Sequence, residues 1–143
     1  MDGERFEILN SLNYILGSKE PRVLSALAVI ERALDEFKEN LWFSFNSGKD
    51  NTACLFLTAA VLYKRSGHKS FRMTVKMLNF EEEDPFEECE EYMEFVRRNF
   101  QFEPLIMKNT DNLAKYKFMK QEMIKIVEAK SIKAVIMGSR RTD

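Results

Sequence analysis

The chain has 143 residues, and because domains of about 100 to 200 residues are usual, we expect a single domain over residues 1–143. Hydrophobic residues make up 45% of the chain and aromatic residues 12%, a content that supports a packed core and excludes a disordered, collagen-like or disulfide-stapled protein. Lysine and arginine total 22 against 23 acidic residues, so the formal net charge of −1 predicts no overall attraction to nucleic acid or an anionic membrane, and any anion site must be local.

Residues 1–40 predict a pair of helices that cover the rest of the fold. Phe6, Leu9 and Leu12 recur at steps of three, and Gly17 stands where a helix would end. The second helix begins at Pro21 and carries one apolar stripe, formed by Val23, Leu27, Ile30, Leu34 and Phe37. A coiled-coil helix is the alternative, but the stripe spans only about two heptads, and such helices need three or four.

Residues 41–143 alternate short apolar runs with longer helical patterns. The predicted strands are Leu41 to Phe45, Phe71 to Met77, Glu103 to Met107 and Ala134 to Met137. The predicted helices are Asp50 to Arg65, Phe86 to Asn99 and Asn112 to Lys130, the last with Tyr116, Met119, Met123, Ile126 and Val127 inward. Strands that alternate with helices indicate right-handed crossovers, so we expect an α/β fold with a doubly wound parallel sheet.

The cysteines and the single histidine offer no metal or catalytic pattern. Cys54 and Cys89 fall in predicted helices without a CxxC pair, which favours packed or surface thiols over zinc ligands. His68 lies in a polar, glycine-containing connection and is interpreted as a solvated loop residue rather than a catalytic base. Neither a signal peptide pattern nor an apolar run of roughly 20 residues is present, so we expect a cytoplasmic protein without a membrane partner.

An acidic segment follows the second predicted strand. Its members are Glu81, Glu82, Glu83, Asp84, Glu87, Glu88, Glu90, Glu91 and Glu94. We interpret it as a solvated loop and helix start, where acidic side chains favour the helix dipole, with a metal site as the alternative.

The loop from Asn46 to Thr52 directly follows the first strand and opens the next helix. In open parallel sheets, ligands bind beyond the carboxyl ends of the strands where connections diverge. Small residues at Ser47 and Gly48 let the backbone approach a ligand, and amides at a helix start favour phosphate. Asp50 stands where a Walker A loop has its metal-binding hydroxyl, so kinase or GTPase chemistry is not expected. Simple turn and N-cap roles are the alternative.

A second loop, Gly138 to Asp143, follows the last strand. Arg140 and Arg141 suit phosphate oxygens, and Asp143 suits a hydrogen-bond acceptor or a magnesium ligand. A frayed basic terminus is the alternative. Because both loops follow strands of one parallel sheet, we expect them to emerge at the same edge.

At these residues the sequence resembles the FAD synthetase family, the eukaryotic-type FMN adenylyltransferases of the PAPS reductase-like, PP-loop superfamily. The segment from Phe43 to Asp50 is similar to the family's [LF]-S-[FY]-N-G-G-K-D, and Val135 to Asp143 is similar to V-[LI]-[MI]-G-x-R-R-T-D. Phe86 and Glu90 weakly resemble a helix start between the two motifs. The resemblance covers Leu41 to Asp143 and implies a PP-loop nucleotide-binding domain.

The resemblance implies that the first motif binds the pyrophosphate end of ATP. The implied ATP-binding residues are Ser44, Asn46, Ser47, Gly48, Lys49, Asp50, Asn51, Thr52, Gly138, Arg140 and Arg141. The implied catalytic residues are Asn46, Asp50 and Asp143, and Mg2+ would be held by Asp50 and Asp143. The implied reaction is attack of the FMN phosphate on the α-phosphorus of ATP, which gives FAD and pyrophosphate and needs no nucleophilic side chain.

Two features of the chain depart from the family pattern. Ser47 replaces a glycine, and the sequence ends at Asp143, where the family continues into a segment that supplies much of its flavin pocket. An ATP-binding module without a complete flavin site, or another PAPS reductase-like enzyme, is therefore the alternative function. Sulfonucleotide reduction would need a reactive cysteine in a mobile tail, a position that neither Cys54 nor Cys89 occupies. Enzymes that thiolate tRNA would need CxxC pairs and a basic surface, and the sequence has neither.

Overall fold

The computed structural model describes residues 3–46, 48–80, 87–109 and 113–138. The helices are α1 (Gly3–Leu16), α2 (Pro21–Phe37), α3 (Lys49–Arg65), α4 (Glu87–Phe100) and α5 (Lys115–Lys130). The strands are β1 (Leu41–Phe45), β2 (Lys76–Phe80), β3 (Leu105–Met107) and β4 (Ala134–Met137), and a short 3₁₀ helix at Lys38–Asn40 leads into β1.

The strands form one parallel sheet in the order β3-β2-β1-β4. Phe43 of β1 pairs with Met77 on one side and with Ile136 of β4 on the other. The chain moves outward from β1 through β2 to β3 and then crosses to the opposite edge, so connections diverge between β1 and β4. This arrangement confirms the predicted doubly wound α/β fold.

Alternating side chains of β1 divide the interior into two cores, because successive strand residues point to opposite faces. Phe43 and Phe45 lie in the larger core, together with residues of α1, α3 and α4, and α2 packs at its margin. Trp42 lies in the smaller core with Leu78, Ile126 and Ile132, and this core holds α5 on the other face. Helices on both faces bury all of β1.

Polar contacts attach the N-terminal helices to the core, as the predicted helical cover requires. Arg98 and Asn99 of α4 donate hydrogen bonds to the Glu4 carboxylate of α1. Arg65 at the end of α3 binds Glu31 and Asp35 of α2.

One predicted strand is wrong in its position. The predicted strand ran from Phe71 to Met77, whereas β2 begins at Lys76. Phe71, Met73 and Val75 are buried, but they belong to an extended segment outside the sheet, and the Met73 amide donates to Phe100 O at 2.7 Å. The alternation of apolar and polar residues reflects alternating burial of the side chains. An extended segment packed against the end of α4 can bury every second side chain without pairing with a strand.

Two side chains that belong to the predicted apolar patterns of helices are exposed. Phe6 is 59% exposed because α1 buries Ile8 and Leu12, and Val127 is 41% exposed because α5 buries Phe118 and Ile126. The side chain of Tyr116 lies outside the described part. The remaining predicted elements differ from the structure only at their ends, and β1 and β4 match the prediction.

His68 and the cysteines occupy the kinds of position that were predicted. His68 is exposed in the turn after α3, at φ 64°, and its ring makes a T-shaped contact with the ring of Tyr63. Cys54 and Cys89 are free and half-buried. In the part of the chain that the structure describes, no helix is long and apolar enough to cross a membrane.

Candidate functional site

The connection from β1 to α3 presents the start of a helix at the carboxyl edge of the central strand. Gly48 is the N-cap residue, and its N–H donates to the Asn46 side-chain oxygen at 2.7 Å. The first helical bond runs from the Thr52 N–H to Gly48 O at 2.9 Å. The helix itself therefore offers no acceptor to the amides of residues 49–51, and its partial positive charge favours an anion here.

Asn51 holds the base of this connection. Its side chain is 1% exposed, and both ends of the carboxamide bind the backbone of the preceding segment. Nδ2 donates to Ser44 O at 2.6 Å, and Oδ1 accepts the Asn46 N–H at 2.9 Å. The end of β1 is thereby fixed to the first turn of α3.

A second contact reaches the same turn from α4. Thr52 Oγ1 donates to Gly48 O at 3.0 Å and accepts a hydrogen bond from Tyr92 Oη at 2.8 Å. The Tyr92 ring stacks on Phe45 with 6.5 Å between ring centroids. Burial raises the pKa of Tyr92, so its hydroxyl stays protonated and able to donate at neutral pH.

The end of β4 meets the first turn of α3 at Gly138. A Cβ atom at this position would lie 2.3 Å from Asn51 Cα, 2.6 Å from Asn51 N and 2.7 Å from Asp50 O. No side chain fits against that backbone, so the close approach requires glycine. Gly138, the first residue of the second loop, therefore lies against residues 50–51 of the first loop. The rest of the second loop, residues 139–143, lies outside the described residues, so the convergence of the two loops stays a prediction.

The predicted site residues that the structure describes all lie at this edge of the sheet, and they differ in how deeply they are buried. Asn46, Gly48 and Lys49 are exposed and Asp50 is half-buried, whereas Ser44 and Asn51 are buried within the protein. Gly138 and Thr52 complete the set. Ser47, Arg140, Arg141 and Asp143 lie outside the described residues, as do Phe86 and the start of the acidic segment. The ligand roles of all these residues stay predictions.

Sequence reasoning missed two residues that support the edge. Tyr92 was not singled out, because nothing in a helical pattern shows that its hydroxyl reaches α3. Asn79 was also missed; it is 7% exposed in β2, and its Nδ2 donates to Phe45 O at 3.4 Å. An amide inside the otherwise apolar run from Met77 to Phe80 was the available signal for Asn79.

Solved structures similar to this fold include FMN adenylyltransferases. The enzyme of Candida glabrata in complex with ATP superposes with a TM-score of 0.62 at 16% identity, over 98% of this chain and 50% of that chain. The same enzyme with FMN and the ATP analogue AMPCPP gives 0.66 at 16% identity, over 98% and 51%. Yeast FAD synthetase in complex with FAD gives 0.59 at 18% identity, over 98% and 53%. No family model matches the sequence.

The strand order, with connections that diverge between β1 and β4, defines a doubly wound α/β domain. More narrowly, the chain has the fold of FAD synthetases, which are nucleotidyltransferases, so the resemblance stated from the sequence motifs is confirmed at the level of the fold. The chain spans about half the length of these structures, 50% to 53%.

Proposed function

We propose that this chain is an FMN adenylyltransferase that binds ATP at the edge between β1 and β4, transfers AMP to FMN, and releases FAD and pyrophosphate. The observation that carries the proposal is the close approach of Gly138 to the backbone of Asp50 and Asn51. This approach brings residues of both motifs of the resemblance together at the start of α3. The similarity to enzymes solved with ATP, with FMN and with FAD supports the choice of substrates. The partners are accordingly small nucleotides.

The chemistry is a phosphoryl-type transfer in which an FMN phosphate oxygen bonds to the α-phosphorus of ATP. The bond from that phosphorus to the α–β bridging oxygen breaks, and pyrophosphate leaves with the electron pair. The exposed Lys49 and the first-turn amides of α3 offset the negative charge on the leaving group. Burial, and then the charge of Asp50, raise the pKa of Cys54, so this neighbouring thiol stays neutral and is not a nucleophile.

The metal proposal rests on Asp50. The described residues contain no cluster of three or more His, Cys, Asp or Glu side chains that suits a metal ion. Mg2+ bound to substrate phosphates needs only one or two protein carboxylates, and Asp50 at the start of α3 fits that requirement. When bound, Mg2+ would neutralise phosphate charge. Asp143 is proposed as the second carboxylate, and Arg140 and Arg141 as phosphate ligands.

The burial of each side chain decides which role we assign to it in the loop. Ser44 and Asn51 are buried, so we assign them to holding the loop, while the exposed Asn46, Gly48 and Lys49 are assigned to ATP. We also propose one domain over residues 1–143 and a cytoplasmic location, which two free thiols favour.

The test is to incubate the protein with FMN, MgCl2 and ATP labelled at the α-phosphorus, and to separate the products by chromatography. We expect labelled FAD and an equal amount of unlabelled pyrophosphate. ATP labelled at the γ-phosphorus should transfer label to pyrophosphate and none to FAD. Gly48→Val should abolish both, because the added side chain occupies the space over the helix start. Label in free AMP without FAD would contradict the proposal.

The ATP-binding module remains the second candidate because the chain covers only about half of the enzymes it resembles. Titration calorimetry separates the two. ATP binding that Gly48→Val removes, without FAD from any FMN concentration, would favour the module. No ATP binding by the parent protein would reject both.

A further inference from the structure

We propose that Tyr92 is a positioning residue that sets the phosphate-binding turn through Thr52, an inference that rests on the proposed function. Tyr92 lies on α4, 40 residues from Thr52 along the chain, and its hydroxyl bonds Thr52 Oγ1 at 2.8 Å. Thr52 in turn binds Gly48 O with its side chain and with its backbone amide. The phenol thus acts on the N-cap residue without contacting the ligand.

The hydrogen-bond directions decide what Thr52 does. A hydroxyl has one proton to donate, and Thr52 gives that proton to Gly48 O while its oxygen accepts from Tyr92. Thr52 has more than one side-chain rotamer in a helix, and the bond from Tyr92 favours the one that reaches Gly48. With this geometry Thr52 serves the turn rather than donating to a phosphate.

The surroundings of Tyr92 make it a fixed support. Its ring stacks on Phe45, the last residue of β1, so the same side chain touches both the strand that precedes the turn and the helix that follows it. Gly48 N–H is held by Asn46, and Asn46 N–H by Asn51. Tyr92 therefore completes a chain of bonds that fixes the turn at both of its ends.

The experiment measures the ATP dissociation constant by titration calorimetry, with magnesium, for the parent, Tyr92→Phe, Thr52→Val and the double variant. Tyr92→Phe keeps the stacked ring and removes one hydrogen bond, so we expect roughly three- to tenfold weaker binding. The double variant should bind like Thr52→Val alone, because Tyr92 acts through Thr52. Thr52→Ser keeps the hydroxyl and should restore parental affinity. Tyr63→Phe, which removes the hydroxyl of a buried tyrosine near the other end of α3, is the matched control and should bind like the parent.

Hydrogen exchange of the amides of residues 48–52, measured without ligand, is the second readout. Faster exchange there in Tyr92→Phe, with unchanged exchange elsewhere in α3, is expected. Parental affinity in Tyr92→Phe, or additive losses in the double variant, would overturn the proposal. If the parent binds no ATP, the proposed function fails and the positioning role falls with it; faster exchange would then leave Tyr92 as a structural support only.

Discussion

The two sides of the candidate site are held in different ways. The turn after β1 is held by directional hydrogen bonds from Asn46, Asn51 and Thr52, whereas the end of β4 is held by the contact of Gly138 with the α3 backbone. Side chains can rotate and water can replace a lost bond at an exposed turn. Backbone atoms in contact have no such adjustment, so we expect changes on the β4 side to cost more.

The largest effect should come from Gly138→Ala. The added methyl would lie 2.3 Å from Asn51 Cα, so β4 or α3 must shift. We expect a loss of about 3 kcal/mol in the free energy of unfolding, at the upper end of overpacking costs, measured by urea denaturation. Gly3→Ala is the control, since a methyl there meets nothing within 4 Å. Equal stability of the two variants would show that the β4 contact is not tight.

Asn51→Ala should be the next largest. It removes both bonds of a buried carboxamide and leaves Ser44 O and the Asn46 N–H without that partner. We expect a loss of about 2 kcal/mol in unfolding free energy, against almost no change for the exposed Asn10→Ala.

Asn51→Asp divides the two bonds. It keeps the acceptor for Asn46 but places an oxygen against Ser44 O, so we expect it to be at least as destabilising as Asn51→Ala at neutral pH. Parental stability of this variant would contradict the assigned orientation of the amide.

Gly48→Ala should cost less than about 1 kcal/mol in stability. Among the described residues, the added methyl would come close only to the Asn46 side-chain oxygen, at 2.9 Å, and that side chain can rotate. The backbone at φ −69° accepts alanine without strain. Thermal unfolding of Gly48→Ala beside Gly138→Ala tests the comparison directly. A melting temperature as low as that of Gly138→Ala would reverse the order proposed for the two sides.

The smallest effect concerns alkaline pH. Burial raises the pKa of Tyr92 and of Cys54, so the unfolded state loses these protons at lower pH than the folded state does. Their contribution to stability is therefore complete below the ordinary pKa values of these groups and is lost as the pH rises above those values. Urea denaturation at pH 8 and pH 10.5 should show a smaller decrease for Tyr92→Phe than for the parent. Identical decreases would mean that Tyr92 does not titrate differently in the two states.

The sequence by itself determined the alternation of strands and helices, the bounds of β1 and β4, and the two motifs, because periodicity and short spacings are local properties. It also showed that each motif continues from a strand into a loop. Because the strands are parallel, both loops are expected at the same edge of the sheet. It misplaced β2, since an alternating burial pattern is the same for an extended segment and for a paired strand.

Only the tertiary structure decided how the candidate site is held. The contact of Gly138 with Asn51 joins residues 87 positions apart, and the bond from Tyr92 to Thr52 joins two helices 40 positions apart. Neither contact leaves a periodic trace in the sequence. Asn51, which the resemblance grouped with the ATP ligands, has both ends of its amide bound to backbone, because the fold brings the end of β1 back against the first turn of α3. Such assignments depend on which atoms meet in three dimensions, and that is set by the packing of the whole sheet and its helices.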